Sequence, residues 1–489
     1  MMICIVIKGP TFEEAYEQIR QAIAYSDLVE LRLDYFNSLD LEALKILRNE
    51  FTIPMIFTLR SQAQGGNYTQ TEGNRLADIL LLLALKPEYF DLENDILPQF
   101  FEELSKYPEV RLILSYHNFK ETPDNLEMIY QEMQKIPAFL YKIAVTANNC
   151  IDALKLICWA RKPHTRLIAI SMGGHGQISR ILAPLMKCAI TYASLKDDQI
   201  SAPGQLSAKT LIERYHHKRL NPNTLLYGLI GDPVDLSISD KTHNALFASF
   251  DLDAVYIKIQ VRPEELHDFL QFAKKMPFQG LSVTMPLKEH VLAFLDDINP
   301  QAIDIGAVNT LYFKANKVLG FNTDGFGALN AIEKLCLVNE KRIVIIGAGG
   351  AAKAIAYEAC QRGAIVTIAN RDAEKALQLA KSLNCVGVGI EDMQNCYEAG
   401  YDILINCTSV PLPISPDYIL PHAIIMDIVT KPRETEFLKQ ALRKECRVIY
   451  GYHMFIEQAL GQFNLWFENR YINVEGKRMM ENEVIRALS

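Results

Sequence analysis

The sequence predicts an α/β protein made of an N-terminal (β/α)8 barrel followed by two further α/β domains. Short apolar segments alternate with amphipathic ones up to residue 215, a polar stretch with a proline interrupts them at 216–223, and the alternation then restarts. Such alternation is typical of parallel strands covered by helices. A chain of 489 residues has room for several domains of about 150 residues each.

The barrel prediction comes from the count of strand-like segments in the first half. We predict strands at 3–7, 28–33, 55–59, 89–92, 111–116, 139–144, 167–171 and 189–194. Amphipathic segments at 12–25, 41–49, 75–85 and 126–135 predict helices between them. An open doubly wound sheet would show the same alternation, but the count of eight favours a barrel.

Two more α/β domains are predicted after the polar stretch. Strand-like segments at 225–230, 254–259 and 280–284 indicate a new domain from Thr224, and another strand at 342–346 precedes a glycine-rich turn. We therefore expect a barrel at 1–215, a linker at 216–223, a second domain at 224–335 and a third at 336–451. The helices within 452–489 are expected to pack back onto the second domain.

Composition excludes several classes of protein. Hydrophobic residues make up 49% of the chain and charged residues 22%, with a net charge of −8. This balance predicts a folded protein without the basic excess of nucleic-acid or membrane-surface binders. The longest apolar run, 79–85, is far too short to span a membrane. Ten cysteines without a CxxC pair predict a reducing, cytoplasmic location and no metal site.

Charged residues cluster where the barrel strands end, which is where such barrels carry their chemistry. Glu30, Arg32 and Asp34 alternate at the end of the second strand and therefore point the same way. Further polar candidates lie at the ends of later strands or in the loops that follow: Arg60, His117, Lys142, Arg180, Ser201 and Gln205.

Lys142 lies within an apolar strand and is the most informative of these residues. A buried amine surrounded by arginines loses its proton more easily and can attack a carbonyl carbon. His117 could then move protons, while Arg60 and Arg180 could bind a carboxylate. Alternatively, Lys142 forms a structural ion pair with Glu30 and His117 is a core histidine, but the whole set at strand ends favours a site.

The first half resembles the type I 3-dehydroquinate dehydratases, (β/α)8 enzymes. The resemblance rests on the segments ELRLD, TLRS, SYH, YKIAV, SMG…ISR and SAPGQ, in this order. It implies that Lys142 forms a Schiff base with the substrate ketone and that His117 is the general acid and base. It also implies substrate binding by Glu30, Arg32, Arg60 and Arg180, and by Ser201 and Gln205 from a closing loop. Gln64 stands where this family usually carries glutamate, a change expected to affect rate rather than reaction.

The glycine-rich turn, Gly347-Ala348-Gly349-Gly350-Ala351-Ala352, follows a strand and opens a helix. This G-x-G-x-x-A pattern predicts a Rossmann domain, in which main-chain N–H groups bind a pyrophosphate. The next predicted strand, 364–369, leads into Asn370-Arg371-Asp372. The usual acidic partner of a ribose hydroxyl is absent from the strand tip, and Arg371 beside it suits a 2′-phosphate, which predicts NADP(H). Asp372, however, places a negative charge nearby.

Upstream of the turn lie polar residues that each have an ordinary explanation. Ser239 could cap a helix, Lys288 could be a surface lysine, and Asn309 and Asp324 could be turn residues.

Taken in order, however, these residues resemble the shikimate dehydrogenases across 224–489. The resemblance implies a catalytic pair, Lys288 and Asp324. It implies that Thr408 contacts the cofactor. It also implies that the substrate is bound by Ser237, Ser239, Thr284, Asn309 and Gln458. Three residues depart from the family pattern: Asp240 replaces a proline, Ser282 an asparagine and Thr430 a tyrosine.

Together the two resemblances predict a fused enzyme with small-molecule substrates that performs consecutive reactions. It would dehydrate 3-dehydroquinate and then reduce 3-dehydroshikimate to shikimate with NADPH. Two alternatives stay open, a metabolite-sensing regulator derived from such a pair and a quinate dehydrogenase that uses NAD. The intact catalytic residues argue against the first, and Arg371 argues against the second.

Overall fold

The computed structural model describes residues 1–95, 100–198, 203–470 and 474–488. The chain divides into two compact units, one formed mainly by residues 1–225 and the other mainly by residues 226–489. Within the described ranges, no helix combines the length and apolar character that a bilayer span requires.

The first unit contains an eight-stranded parallel sheet. Its strands are β1 (Met2–Ile7), β2 (Leu28–Arg32), β3 (Met55–Thr58), β4 (Tyr89–Glu93), β5 (Arg111–Asn118), β6 (Leu140–Thr146), β7 (Leu167–Met172) and β8 (Ile190–Ala193). They pair in the order β7-β6-β5-β4-β3-β2-β1-β8. Ala189, just before β8, donates its main-chain N–H to Leu167 O of β7 (3.0 Å), which brings the two end strands together. The (β/α)8 prediction is confirmed.

Apolar side chains fill the barrel. One buried cluster takes at least one side chain from each of the eight strands. The helices are α1 (Phe12–Ala22), α2 (Leu41–Glu50), α3 (Glu72–Leu83), α4 (Phe100–Leu104), α5 (Leu126–Met133), α6 (Cys150–Ala160), α7 (Gln177–Ile181) and α8 (Ala208–Glu213). Five of them begin at a side-chain cap: Thr11, Asp40, Thr71, Asn149 and Ser207. Such caps satisfy N–H groups that the first helical turn leaves unpaired.

Two local features differ from the sequence expectation. Helix α3 begins earlier than residue 75, because Thr71 accepts a hydrogen bond from Asn74 N–H and starts the helix in a polar segment without apolar periodicity. The segment expected to be a linker begins with packed residues. His217 is buried, and its Nε2 lies 3.0 Å from Arg180 O.

The second unit begins with a mixed six-stranded sheet in the order β10-β9-β11-β13-β14-β12. Strand β11 pairs parallel to β9 and antiparallel to β13. The strands and helices in chain order are β9 (Leu225–Gly231), α9 (Ser239–Ser249), β10 (Ala254–Gln260), α10 (Leu266–Ala273), β11 (Phe278–Val283), α11 (Leu287–His290), β12 (Asp297–Ile298), α12 (Pro300–Ile305), β13 (Thr310–Lys314), β14 (Lys317–Phe321) and α13 (Asp324–Glu333).

A parallel sheet follows, with the strand order β17-β16-β15-β18-β19-β20. Its elements are β15 (Arg342–Ile346), α14 (Gly350–Gln361), β16 (Ile365–Asn370), α15 (Ala373–Leu383), β17 (Val386–Gly389), α16 (Met393–Ala399), β18 (Ile403–Asn406), β19 (Ile424–Asp427), α17 (Glu436–Arg443) and β20 (Arg447–Ile449). Alternate residues of β15 enter separate apolar clusters on the two faces of this sheet. This order is that of a Rossmann fold, so the prediction is confirmed.

The chain ends in two helices, α18 (Gly451–Trp466) and α19 (Val474–Leu488). Trp466 in α18 donates its indole N–H to Leu311 O (2.9 Å), and Gln462 donates to Asn309 O (3.1 Å). Helix α19 packs against α9. Side chains of α18 thus reach the polar residues at the start of β13.

Candidate active sites

Lys142 lies in the barrel interior on β6 and is almost fully buried. Its Nζ is 2.9 Å from Asp91 Oδ2 on β4, 3.8 Å from Glu30 Oε1 on β2, and 4.3 Å from the centre of the Tyr192 ring on β8. Four strands therefore converge on one amine. The structural ion pair with Glu30 is the weaker contact, and Asp91 is the carboxylate that meets Lys142 directly.

Arg60 belongs to the same buried network. Its guanidinium is 2.6 Å from Asp91 Oδ1, 3.7 Å from Glu93 Oε1, and donates to Ser115 Oγ (2.8 Å). Burial alone would raise the pKa of Asp91, but the positive charges of Arg60 and Lys142 outweigh it and hold that pKa below its ordinary value. Asp91 is thus a stable carboxylate between two cations.

His117 lies near the end of β5, two residues beyond Ser115, which pairs with Lys142. Its ring stacks on Phe119, with centroids 5.8 Å apart and planes within 6°. Desolvation and then the charges of Arg60 and Lys142 hold the pKa of His117 well below its usual value. Among the described residues its buried Nδ1 has no hydrogen-bond partner. The low pKa favours the neutral form of His117, and its Nδ1 has no described partner that would compete for a proton.

Arg180 is a buried guanidinium that forms no ion pair within the described part of the chain. It donates to Ser171 O (2.9 Å) and Gly204 O (3.2 Å), and its Nε has no partner there. Burial lowers the pKa of Arg180 to about 10. Because a desolvated cation without a counterion attracts an anion, this position suits a substrate carboxylate. Gln205 is buried in the same loop as Gly204, whereas Ser201 lies outside the described residues.

The other two predicted barrel residues have partners of their own. Glu30 accepts a hydrogen bond from Thr58 (2.8 Å), and Arg32 binds Asp34 through two hydrogen bonds of 2.9 and 2.8 Å. Gln64, the departure from the family pattern, donates to Asp95 Oδ2 (2.7 Å).

A second cluster forms around Lys288 in the second unit. Its Nζ is 2.5 Å from Asp324 Oδ2, at the first residue of α13. Asn309 donates to Asp324 Oδ1 (2.8 Å), and its amide nitrogen lies 3.5 Å from Gln458 Oε1. Four predicted residues, three from different helices and Asn309 from just before β13, thus lie together. Lys288 is mostly buried, which excludes the surface-lysine explanation.

The two predicted serines form a pair. Their Oγ atoms are 2.8 Å apart, and Ser239 donates its main-chain N–H to Ser237 Oγ (3.2 Å). Ser239 is the first residue of α9 rather than its cap. Thr284 follows β11 and donates its N–H to Ile230 O (2.9 Å). Ser282 joins this region to α18, since its Oγ donates to Gln462 Oε1 (2.7 Å).

The glycine-rich turn has the geometry of a dinucleotide site. Gly347 has a φ of 117°, which favours glycine. Gly349 caps α14 without any side-chain hydrogen bond, and a Cβ built on it would meet nothing within 4 Å. No side chain caps the start of α14, which leaves its first N–H groups available to an anion at the helix N-terminus. A Cβ on Gly350 would lie 3.2 Å from Lys288 Cβ, so the turn borders the lysine cluster.

The end of β16 carries the predicted cofactor selectors. Arg371 is exposed and makes no hydrogen bond or ion pair with any described residue. Asn370 donates to Asp372 O (3.1 Å). Asp372 caps α15, accepting from Lys375 N–H (3.2 Å), and its other oxygen lies 3.6 Å from Lys375 Nζ. Thr408, after β18, packs near Gly347. The residues present fit NADP(H), with Arg371 available for its 2′-phosphate.

Sequence reasoning missed several residues that contact these sites. Asp91 and Glu93 alternate on the apolar strand β4 in the same way as Glu30 and Arg32 on β2, so the signal was present. Gln462, four residues after Gln458, lies on the same face of its helix. No sequence signal distinguished Tyr192, whose buried hydroxyl has no partner among the described residues.

Family models match the same segments. The model for type I 3-dehydroquinase matches residues 3–222. The models for the shikimate dehydrogenase substrate binding domain and for shikimate / quinate 5-dehydrogenase match residues 229–311 and 330–438. A crystal structure of a shikimate dehydrogenase in complex with NADP+ covers 55% of this chain and 98% of its own, with a TM-score of 0.51 and 35% identity.

Two relatives share the whole arrangement. The shikimate biosynthesis protein AroDE of Chlamydia pneumoniae is 38% identical over 95% of both chains. The chloroplastic bifunctional 3-dehydroquinate dehydratase/shikimate dehydrogenase of Arabidopsis thaliana is 34% identical over 95% of this chain and 82% of its own. The chain belongs to this bifunctional dehydratase–dehydrogenase family. Membership in the bifunctional family accounts for two separate clusters, one in each unit.

Proposed function

We propose that the barrel dehydrates 3-dehydroquinate to 3-dehydroshikimate through an imine on Lys142. The observation that carries this proposal is a buried lysine on the strand next to that of His117, where its charge helps to hold the histidine pKa low. A protonated imine accepts the electron pair of the C–H bond that breaks next to it. This lowers the barrier to removal of the proton.

Each group then has a role in a balanced sequence. The Lys142 amine adds to the ketone, and water leaves as the imine forms. His117 takes the adjacent proton, and returns one to the hydroxyl that departs as water. Hydrolysis of the imine releases the unsaturated ketone and regenerates the amine. Arg180 binds the substrate carboxylate, and Asp91 keeps the lysine side chain in place through its 2.9 Å contact.

Borohydride added during turnover of 3-dehydroquinate is expected to leave a reduced adduct on the peptide that contains Lys142. The imine is the only species in this scheme that borohydride fixes covalently to the protein. Peptide mass spectrometry locates the adduct, with Lys142→Ala as the unlabelled control. Active enzyme that carries no adduct on this peptide would contradict the imine.

We further propose that the second unit reduces 3-dehydroshikimate to shikimate. Bound NADPH supplies the hydride. Lys288 donates a proton to the carbonyl oxygen as negative charge develops there, and Asp324 holds its ammonium in position. Asn309, Thr284 and Gln458 orient the substrate hydroxyls. The paired hydroxyls of Ser237 and Ser239 bind the carboxylate.

Replacing Arg371 by alanine is expected to reduce a preference for NADPH over NADH that is at least about tenfold in the parent enzyme. Charge-assisted contacts to phosphate contribute about 1.5 to 3 kcal/mol, or about one to two decades in affinity. The change should lie in KM, because the 2′-phosphate is remote from the hydride.

Steady-state kinetics with both cofactors tests this expectation, with Lys375→Ala as the matched control. Lys375 is an exposed cation on the next helix that already pairs with Asp372. Equal use of NADH and NADPH by the parent enzyme would instead favour the quinate-type alternative.

A coupled assay tests both proposals together. Purified protein given 3-dehydroquinate and NADPH should oxidise NADPH and accumulate shikimate, whereas a regulator without activity would do neither. We place this enzyme in the cytoplasm, since its ten cysteines are free thiols, as a reducing compartment favours.

A further inference from the structure

The serine pair of the second unit has a negative charge beside it. Asp240 directly follows Ser239 in the first turn of α9, and its side chain is only 1% exposed. Two like charges close together in a poorly solvated place repel strongly. A substrate carboxylate on Ser237 and Ser239 would therefore meet an unfavourable field if Asp240 acted alone.

Lys258 on β10 lies beside this segment. Its ammonium is 3.9 Å from Asp240 Oδ1 and donates to Asp235 O (3.0 Å) and Ser237 O (3.2 Å). Its side chain is 17% exposed, so water screens it only partly. The ammonium thus contacts both the acidic side chain and the main chain of one of the serines.

Buried hydrogen bonds hold these groups in fixed positions. Asn244 of α9 donates to Asp240 O and to Tyr256 O and accepts from Tyr256 N–H, each at 2.8 Å. Tyr256 precedes Lys258 by two residues on the same face of β10, and its hydroxyl donates to Ser282 (2.7 Å). Because α9 and β10 are joined in this way, the two charges stay beside the serines.

We propose that Lys258 determines the affinity of the serine pair for a carboxylate by offsetting the charge of Asp240. The proposal rests on the proposed reductase function and assigns to it a specificity residue. Under this proposal, Lys258 raises the affinity for the substrate carboxylate and Asp240 lowers it. Neither touches the carbonyl that receives the hydride, so the effect belongs to KM rather than kcat.

Four variants test this in the full-length protein, with 3-dehydroshikimate varied at saturating NADPH. We expect K258M and K258Q to raise KM about tenfold, D240N to lower it about threefold, and K258M/D240N to bring it back to about threefold above the wild-type value. Throughout, kcat should stay within about twofold. Added salt should raise the wild-type KM, and have less effect on that of the double variant.

The controls separate charge from structure. K258Q keeps a donor for the two carbonyl groups but removes the charge, so a wild-type KM in K258Q would overturn the proposal. Unchanged KM in D240N together with no compensation in the double variant would also overturn it. If K258M alone is unstable, K258Q and the double variant still decide the question. Lys314→Met, at an exposed ion pair with Glu468 in the same unit, should change nothing. Failure of the reductase function itself would appear differently, as a wild-type protein without measurable turnover.

Discussion

Replacing Lys142 by alanine is expected to abolish the dehydration of 3-dehydroquinate and to leave the reduction of 3-dehydroshikimate unchanged. No other amine lies among the described groups at the centre of the barrel cluster, which are Glu30, Arg60, Asp91, Ser115 and Tyr192. Without an imine the carbanion has no electron sink, and the rate should fall about 10⁴-fold or more. The absorbance of the conjugated product measures the first reaction, and NADPH oxidation measures the second.

A second variant separates chemistry from packing. Lys142→Ala also removes one of the two cations beside Asp91, which keeps Arg60 at 2.6 Å. The loss of stability should therefore be smaller than the cost of about 3 to 5 kcal/mol that is typical of a buried charge left wholly unpaired. Lys142→Arg keeps a positive charge for Asp91 but cannot form an imine. It should be closer to the parent in thermal unfolding, and equally inactive. An active Lys142→Arg protein would exclude covalent catalysis through this residue.

Replacing Lys288 by methionine is expected to lower kcat of the reductase about 10³-fold, within the usual contribution of a positioned acid. Its ammonium is the proton donor nearest to Asp324, at 2.5 Å. Asp324→Asn should also lower kcat, because an amide cannot hold the ammonium as a carboxylate does. The dehydratase activity of the same protein provides the internal control. A Lys288→Met enzyme with normal kcat and raised KM would make Lys288 a binding residue instead.

The sequence predicted all eight strands of the first unit, because buried parallel strands are continuous apolar runs bounded by polar turns. In the second unit it predicted only β9, β10, β11, β15 and β16. The predicted segment 342–346 coincides with β15 (Arg342–Ile346). The start of α3 was not predicted, since the capping residue Thr71 lies before the amphipathic pattern. The spacing of apolar residues shows which face of a helix is buried. It does not show where the helix begins, because that depends on a single capping hydrogen bond.

The candidate site residues could be named from the sequence, whereas the partners that each of them contacts could not. Lys142 was recognisable as an amine in an apolar strand, but only the barrel geometry identifies Asp91 as its nearest acid. Likewise, Asp240 stood out beside the two serines, whereas Lys258 gave no signal because a lysine in an edge strand is ordinary. Contacts between residues far apart in sequence depend on how strands are ordered, which local patterns do not encode.

The closeness of Gly350 to Lys288 limits how the second unit can evolve. A Cβ at position 350 would lie 3.2 Å from Lys288 Cβ, so the lysine stem would have to shift by a few tenths of an ångström. Position 350 therefore has two reasons to favour glycine, the contact with Lys288 and the proposed approach of the nucleotide. A related protein that bound no dinucleotide but kept a lysine in this place would still favour a glycine at position 350. The glycine at this position of the motif thus depends on the neighbouring lysine as well as on the cofactor.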